Sequence, residues 1–333
     1  MFTTVSPASH DGESRISRRR VAIPDAVSRA SHRGELGDSP GRDRSPEAGA
    51  GHHTSLRALL GEAERELAAA GVASPRFDAE SLAAHVLGVS RGHLLLHPRL
   101  DPAAAETLCA LVDRRAAREP LQHLLGTAVL GPVEVAVGPG VFTPRPETEL
   151  LLEWGVAQLR DVASPLVVDL CTGSGALALA IAAMRPDAVV HAVELDPDAL
   201  AWARRNVASH GGRVVLHAGD VRAPDLLPEL AGRVDLVVCN PPYVPDATPV
   251  PPEVGTGDPA VAVFGGPDGL AIIPAVAGLA ATLLRSGGAF AVEHDDTHAD
   301  AVPALLRARS ELHGVEEHAD LNGRPRFATA HRR

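Results

Sequence analysis

The sequence contains no lysine, only three cysteines, few aromatic residues and no long apolar run. The cysteines are odd in number and unpatterned, which argues against a disulfide framework and against a zinc site. The lack of a membrane-spanning run, and of an apolar core near the N-terminus, predicts a cytoplasmic protein that is not bound to a membrane. Because lysine is absent, every fixed positive charge belongs to an arginine.

The chain is acidic overall and long enough for two domains. It has 333 residues, 45% of them hydrophobic, and a net charge of −11. An acidic surface does not favour a tight, sequence-independent grip on nucleic acid, so we expect no nucleic-acid partner. Residues 1–53 are rich in polar residues, glycine and proline without apolar periodicity, which predicts a disordered leader.

The middle of the chain changes pattern twice. Residues 54–125 carry leucines at helical spacing, and Asp101 before Pro102 is typical of a helix cap, which together predict a small helical domain. Residues 126–146 begin with alternating apolar residues, glycine and proline, which predicts a β-hairpin linker.

From residue 147 to residue 333 short apolar strands alternate with helices, which predicts a doubly wound α/β domain with a mainly parallel sheet. The predicted strands are 166–170, 188–194, 213–217, 234–239, 288–293, 312–317 and 325–330. The predicted helices include 175–184, 197–209, 268–285 and 298–308. Ligands in such sheets bind at the carboxyl ends of the strands, so the residues that follow each strand are the candidate site residues.

A glycine-containing turn follows the first strand of this domain. It runs Asp169-Leu170-Cys171-Thr172-Gly173-Ser174-Gly175, and its glycines permit close approach of a ligand to free N–H groups at a helix start. By itself this pattern is shared by nicotinamide enzymes and methyltransferases. Glu194 ends the next strand, where an acid can accept from ribose hydroxyls. After the third strand, Asp220 and Val221 are placed to meet an adenine ring.

The fourth strand ends in Asn240-Pro241-Pro242-Tyr243. The side-chain carbonyl of Asn240 and the backbone carbonyl of Pro241 are two acceptors on a stiff loop beside an aromatic ring. Such a pair suits a planar NH2 group, whose nitrogen lone pair it would aim. A strand-ending turn with a packed tyrosine is the alternative.

Three further features leave alternatives open. Arg145 lies between two prolines and could orient a ligand or the linker, or form a surface pair with a glutamate. Cys171 and Cys239 end neighbouring strands, where a redox pair is less expected than two small buried side chains. Residues 293–298, Glu-His-Asp-Asp-Thr-His, have the composition of a metal cluster, but a helix cap is favoured and no metal is predicted.

With these residues in place, the chain resembles the protein-glutamine N(5)-methyltransferases of bacterial peptide chain release factors. The match runs from about residue 54 to the end. Its motifs are Arg114-Arg115 with Glu119-Pro120-Leu121-Gln122, Pro144-Arg145-Pro146-Glu147-Thr148-Glu149, the turn Asp169 to Gly175, Asn240 to Tyr243, Phe264 to Leu270 and Asp320 to Arg324. The Asn-Pro-Pro-Tyr motif alone is shared with DNA adenine methyltransferases.

The resemblance implies a seven-stranded class I methyltransferase sheet whose last strand is antiparallel, and S-adenosylmethionine as cofactor. It implies catalytic roles for Asn240 and Pro241, and binding of the glutamine of a Gly-Gly-Gln motif by Asn240, Pro241, Pro242 and Tyr243. The implied cofactor-binding residues are Cys171, Thr172, Gly173, Ser174, Gly175, Glu194, Val221 and Asn240. The partners it implies are class I peptide chain release factors, docked with help from the helical domain.

Three positions depart from the family pattern: Cys171 stands where glycine is common, Glu194 where aspartate is common and His123 where tyrosine is common. A compatible backbone angle is all that Cys171 requires, and Glu194 keeps the carboxylate. We therefore expect an active enzyme, acting as a monomer.

Three rival functions remain. An adenine-N6 DNA methyltransferase would need the same clamp but also a basic groove and a recognition domain, which the acidic balance disfavours. A nicotinamide oxidoreductase would use the glycine turn but leaves the Asn240 loop unexplained. A non-catalytic binding module is disfavoured by the presence of both Asn240 and Glu194.

Overall fold

The computed structural model describes residues 54–223 and 225–333. The predicted leader, residues 1–53, lies outside the described residues, and its disorder stays a prediction. Among the helices of these two ranges, none is both long enough and apolar enough to cross a membrane.

Helices fill most of the chain between residues 56 and 125. They are α1 (Leu56–Ala69), α2 (Pro75–Leu87), a 3₁₀ helix (Arg91–Leu96), α3 (Pro102–Ala116) and α4 (Leu121–Leu125). The short strands β1 (Thr54–Ser55) and β2 (Arg99–Leu100) pair antiparallel. The leucines of α1 are buried with those of α2 and α3 in one apolar cluster. The predicted cap is confirmed, since Asp101 accepts from the Ala104 N–H at 2.9 Å.

A hairpin follows the helices, as the alternating pattern predicts. The strands β3 (Thr127–Leu130) and β4 (Val133–Ala136) pair antiparallel. Asn206 fixes the hairpin to a later helix, because its amide donates to the Ala136 carbonyl at 3.0 Å and accepts from the Ala136 N–H at 2.8 Å.

The last 170 or so residues build the predicted seven-stranded sheet. Its strands are β5 (Leu166–Leu170), β6 (Val189–Glu194), β7 (Val214–Ala218), β8 (Val234–Cys239), β9 (Leu284–Glu293), β10 (Leu312–Ala319) and β11 (Pro325–Arg332). The order across the sheet is β10-β11-β9-β8-β5-β6-β7. The pairs from β9 to β7 are parallel, whereas β11 is antiparallel to both neighbours. The expected antiparallel last strand is confirmed.

Helices cover both faces of this sheet. They are α5 (Thr148–Gln158), α6 (Ala176–Met184), α7 (Pro197–Ser209), α8 (Pro252–Gly257), α9 (Ala260–Val263), α10 (Ile273–Leu283) and α11 (Ala301–Arg307). Side chains of β5 alternate between the two faces: Val167 packs with α5, α6 and α7, and Val168 packs with α10 and α11. This is the doubly wound arrangement that the sequence predicts.

Two predicted helices have different bounds in the structure. The helix predicted over residues 268–285 begins at Ile273, because Gly266 and Gly269 take positive φ angles of 90° and 75° in a turn before it. A Cβ atom at Gly269 would lie 2.3 Å from the Tyr243 carbonyl oxygen, so this turn packs directly on the Asn240 loop. The helix predicted over 298–308 divides into a 3₁₀ helix, Asp296–His298, and α11.

An ionic cluster joins α2 and α3 to the segment that contains α8. Arg115 donates to Asp78 and to Glu253, both at 2.8 Å, and its side chain is 7% exposed. Arg118 donates to both oxygens of Glu253, at 2.9 and 2.6 Å. Burial alone would raise the pKa of Glu253, but these hydrogen bonds outweigh it and lower the pKa to about 2.

Replacing Arg115 is expected to destabilise the protein strongly. In Arg115→Met two acids lose a buried partner, which costs about 3 kcal/mol in the free energy of unfolding. Arg114→Met is the matched control, because Arg114 pairs with Glu119 at a half-exposed site where the loss is under about 1 kcal/mol. Urea unfolding of the two variants measures the difference, and equal losses would show that the Arg115 cluster adds no special stability.

Candidate active site

A single cavity of about 660 Å³ opens at the carboxyl ends of the parallel strands. Nearly all the sequence-predicted site residues line it: Cys171, Thr172, Gly173, Ser174, Glu194, Val221, Asn240, Pro241, Pro242 and Tyr243. Gly175 is not part of this lining; it takes a φ of 81° directly before α6, where a Cβ atom would lie 3.6 Å from that of Ala203. The glycine turn and the Asn240 loop therefore share one open space.

The glycine turn is held by a buried acid at the end of β5. Asp169 is 1% exposed, and it accepts from the Thr172 hydroxyl at 2.5 Å. Burial raises the pKa of the Asp169 carboxyl to about 7, against the opposing effect of the Thr172 hydrogen bond. Gly173 takes a positive φ of 57° beside it, with open space where a Cβ would stand, so the turn leaves room for a ligand.

Glu194 links the glycine turn to the end of β6. One of its carboxylate oxygens accepts from the Leu195 and Asp196 N–H groups, both at 2.9 Å, and the other accepts from the Gly173 N–H at 2.7 Å. Burial raises the pKa of this carboxyl more than the three backbone donors lower it. Since each carboxylate oxygen can accept twice, the oxygen bonded to Gly173 retains one place for a ligand hydroxyl.

Asp220 and Val221 line the cavity next to Glu194, after β7. Val221 is 8% exposed and offers an apolar surface to a ring. Asp220 already binds Arg222 through both carboxylate oxygens, at 2.7 to 3.0 Å. An adenine amino group would therefore share this carboxylate with an arginine, a partner that the sequence pattern did not reveal.

Asn240 is oriented by a chain of hydrogen bonds that begins in the core. Its Nδ2 donates to the Thr148 hydroxyl at 3.1 Å, and that hydroxyl donates to Glu293 at 2.9 Å. Tyr243 donates to the other oxygen of Glu293, also at 2.9 Å. Within the described ranges, Asn240 Oδ1 accepts no hydrogen bond, yet it is not a fully buried atom, so it is open to the cavity.

Sequence reasoning missed Thr148 and Glu293 as site residues. Thr148 stood only inside the Pro-Arg-Pro-Glu-Thr-Glu motif, and Glu293 was considered as part of a metal cluster. In the structure the side chains of that cluster diverge: His294 pairs with Glu317, and His298 contacts the Asp268 carbonyl. The favoured alternative, a helix cap, is confirmed, since the Asp295 side chain accepts from the Thr297 N–H at 3.0 Å.

Arg145 holds the linker against the segment that contains Asp258. It forms an ion pair with Asp258 and lies over the Phe142 ring, 5.0 Å from its centroid. Asp258, whose side chain is 1% exposed, also accepts from the Thr143 N–H at 3.0 Å. The alternative of a surface pair with a glutamate is wrong, because the partner is a buried aspartate.

Cys171 adopts a backbone angle that glycine favours. Its φ is 59°, in the left-handed region that costs most side chains about 1–2 kcal/mol. Cys171 and Cys239 are both unbridged thiols, and they pack with the apolar cluster beneath α10. The expectation of two small buried side chains is confirmed for Cys239, but Cys171 is only partly buried and lines the cavity. The cysteine in the turn also carries strain that glycine would not.

Two family models match adjacent parts of the chain, within residues 58–250. A family model described as the PrmC N-terminal domain matches residues 58–126, and one described as the methyltransferase small domain matches residues 133–250. The precorrin-6y C5,15-methyltransferase structure from Geobacter metallireducens covers 60% of this chain and 93% of its own, at 15% identity and a TM-score of 0.39, too low to support a conclusion.

Full-length relatives are much more similar. A release factor glutamine methyltransferase from Mycolicibacterium smegmatis is 56% identical over 84% of this chain and 98% of its own length. Those from Mycobacterium tuberculosis and Streptomyces coelicolor are each 50% identical, over 84% and 83% of this chain and 92% and 97% of their own lengths.

The sheet order, its antiparallel last strand and the matching methyltransferase domain place the protein among the class I methyltransferases, which use S-adenosylmethionine. The identity to full-length relatives narrows this class to one family. The chain belongs to the release factor glutamine methyltransferases.

The strain at Cys171 predicts an unusual ranking of two substitutions. Cys171→Gly relieves the left-handed strain whereas Cys171→Ala keeps it, and both remove the thiol. After the entropic cost of glycine, we expect the glycine variant to be more stable than the alanine variant by about 1 kcal/mol. Urea unfolding measures the ranking. An alanine variant as stable as the glycine variant would show that the turn carries no such strain.

The raised pKa of Asp169 predicts a pH-dependent contribution to stability. The folded state holds the proton more tightly than the unfolded chain, because the pKa rises from 3.8 to about 7. The stabilising contribution is therefore complete below about pH 4 and is lost as the pH rises through about 7. Relative to Asp169→Asn, the cofactor-free protein should lose up to about 4 kcal/mol across this range. A pH-independent difference between the two proteins would show that Asp169 stays ionised.

Proposed function

We propose that this protein transfers a methyl group from S-adenosylmethionine to the side-chain amide nitrogen of the glutamine in the Gly-Gly-Gln motif of class I peptide chain release factors. The orientation of Asn240 carries the proposal. Its NH2 group is held by Thr148, which leaves the carbonyl oxygen for a ligand that donates. The relatives named release factor glutamine methyltransferases favour glutamine over the adenine of DNA as the acceptor.

Pro241 supplies the second acceptor. Among the residues that the structure describes, no donor reaches its backbone carbonyl oxygen, although the residue lines the cavity. A primary amide has two N–H groups, and Asn240 Oδ1 together with the Pro241 carbonyl would accept both. Pro242 and Tyr243 complete the loop, and the Tyr243 ring walls the site.

The cofactor would occupy the part of the cavity around the glycine turn. We propose that Cys171 to Gly175 approach it with backbone groups, that Glu194 accepts from a ribose hydroxyl and that Val221 packs against the adenine ring. Asn240 would contact both cofactor and substrate, because it lines the same cavity as the glycine turn. The open space at Gly173 and the free acceptor capacity of Glu194 support this assignment.

An amide nitrogen is a weak nucleophile because its lone pair is delocalised, so the site must contribute orientation. When bound, S-adenosylmethionine supplies a methyl group activated by its positively charged sulfur. The two acceptors hold the amide so that its nitrogen lone pair points along the line of transfer, an effect that reaches about 7–11 kcal/mol in well-oriented model reactions. In the proposed transfer the carbon–nitrogen bond would form as the bond between the methyl carbon and the sulfur breaks. The nitrogen then releases one proton to water, and no general acid is needed since the departing sulfur is neutral.

The division of labour along the chain follows from the same proposal. Residues 54–125 would help to dock the release factor, residues 126–146 would connect the two parts, and residues 147–333 would carry out the transfer. The contact of Glu253 with Arg115 and Arg118 supports a working link between docking and catalysis, because residues beside Glu253 line the cavity. We further propose that the enzyme works as a monomer in the cytoplasm and needs no nucleic acid.

Mass spectrometry of a class I release factor, incubated with the enzyme and S-adenosylmethionine, tests the proposed function. The expected product carries one added methyl group on the Gly-Gly-Gln glutamine. A methyl group on another residue, or methylation of duplex DNA in place of the release factor, would refute the proposal.

Asn240→Ala separates binding from transfer. Removing one preorganised group aimed at the reacting atoms should lower the turnover rate by at least about a hundredfold. The affinity for S-adenosylmethionine, measured by calorimetry, should change only modestly, because the turn and Glu194 remain. Asn322→Ala is the matched control at an exposed asparagine and should behave like the wild type. An equal loss of affinity and turnover in a folded Asn240→Ala protein would contradict these roles.

A further inference from the structure

Glu293 is a buried acid in contact with the active site. It ends β9, is 2% exposed, and lines the cavity. It receives the hydroxyl groups of Thr148 and Tyr243, one on each carboxylate oxygen, both at 2.9 Å. Burial raises its pKa, and the two hydroxyl donors oppose that rise. Burying a carboxyl is costly, and the two hydroxyl donors offset part of that cost.

The direction of the hydrogen bonds follows from the chemistry of Glu293. Thr148 and Tyr243 both donate to Glu293, one to each carboxylate oxygen, and an ionised carboxylate has no proton to give in return. A threonine hydroxyl has one proton, and once that proton points to Glu293 the oxygen can only accept from Asn240. Asn240 must therefore turn its NH2 group to Thr148 and its carbonyl oxygen to the cavity. With the opposite polarity, the cavity would meet a donor in place of an acceptor.

We propose that Glu293, acting through Thr148, is the positioning residue that fixes the amide orientation of Asn240 and so makes the clamp an acceptor of the substrate NH2 group. This inference rests on the proposed function for the identity of the substrate. It adds that an acceptor-only group in the core sets the polarity of the site. Glu293 also accepts from the Tyr243 hydroxyl, so the same carboxylate positions both Tyr243 and, through Thr148, Asn240.

Substitutions of Thr148 test the middle member of the hydrogen-bond series that links Glu293, Thr148 and Asn240. Thr148→Val keeps the shape but removes the hydroxyl, so the Asn240 amide loses its orienting partner, whereas Thr148→Ser restores it. We expect kcat to fall about 10–100-fold in the valine variant and to recover in the serine variant, the range expected for one oriented hydrogen bond in a charged network. Thr329→Val is the matched control, since this buried threonine on β11 bonds to His318 on β10 and its replacement should leave kcat unchanged.

A double-mutant cycle tests whether Glu293 works through Thr148. Glutamine at position 293 can accept only one of the two hydroxyls, so Glu293→Gln disturbs either the Asn240 amide or Tyr243. If the effect travels through Thr148, adding Glu293→Gln to Thr148→Val should lower kcat little further, well short of the product of the two single effects. Calorimetry with S-adenosylmethionine should show wild-type affinity in all the variants, which also proves that they are folded.

NMR can report on these hydrogen bonds without catalysis, because the chain has few asparagines and tyrosines to label. It has three asparagines, Asn206, Asn240 and Asn322, and one tyrosine, Tyr243. With ¹⁵N-asparagine, the side-chain NH2 signal missing from Asn240→Ala identifies Asn240, and it should shift in Thr148→Val and return in Thr148→Ser. With tyrosine labelled at the carbon that bears the hydroxyl, the single ¹³C signal should shift in Glu293→Gln.

The outcomes separate this inference from the proposed function. If the wild type does not methylate a release factor, the function fails, while the NMR shifts still judge the orientation of Asn240. If the wild type is active but Thr148→Val keeps wild-type kcat and an unchanged Asn240 signal, the positioning role is overturned. It is likewise overturned if Glu293→Gln lowers kcat but leaves the Asn240 NH2 signal at its wild-type position, because that effect then arises at Tyr243 and not through Thr148.

Discussion

The hydrogen bond from Asn240 to Thr148 decides what this cavity can bind, because it determines which half of the amide faces the ligand. The two halves have nearly the same shape but opposite chemistry, so packing alone does not choose between them. The choice is made by the neighbouring hydroxyl and, behind it, by the carboxylate of Glu293. In the proposed function, specificity for an NH2 group would therefore depend on the Glu293 carboxylate, which leaves Thr148 able only to accept from Asn240.

The sheet topology is what makes that arrangement possible. Asn240 follows β8, Glu293 ends β9, and these parallel strands are direct neighbours, so their carboxyl ends lie side by side. The third member, Thr148, begins α5 and reaches the same place from outside the sheet. On the other side of β8, strand β5 leads into the glycine turn. The central strands therefore bring the cofactor-side turn and the amide clamp to one edge.

The sequence predicted the parts of the site that are local and failed where contacts are distant. The glycine turn, Glu194 and Asn240 each follow an apolar strand, so their patterns could be read within a few residues. Thr148 lies 92 residues before Asn240 and 145 before Glu293, and no local pattern reports such a contact. The seven strands were predictable for the same reason, because each is a short local apolar run. Helix α10 begins later than its predicted start because the turn before it packs on Tyr243, which is distant in the sequence.

Two sides of the cavity are held in place by different kinds of interaction. The strand ends that carry Asn240 and Glu293 are tied to the core by neutral and charged hydrogen bonds at buried atoms, and these require the strands to stay in register. The segment that contains Glu253 and Asp258 is instead held by ion pairs. Glu253 binds Arg115 and Arg118, and Asp258 binds Arg145. In a chain without lysine these arginines offer planar, forked contacts that fix direction as well as charge.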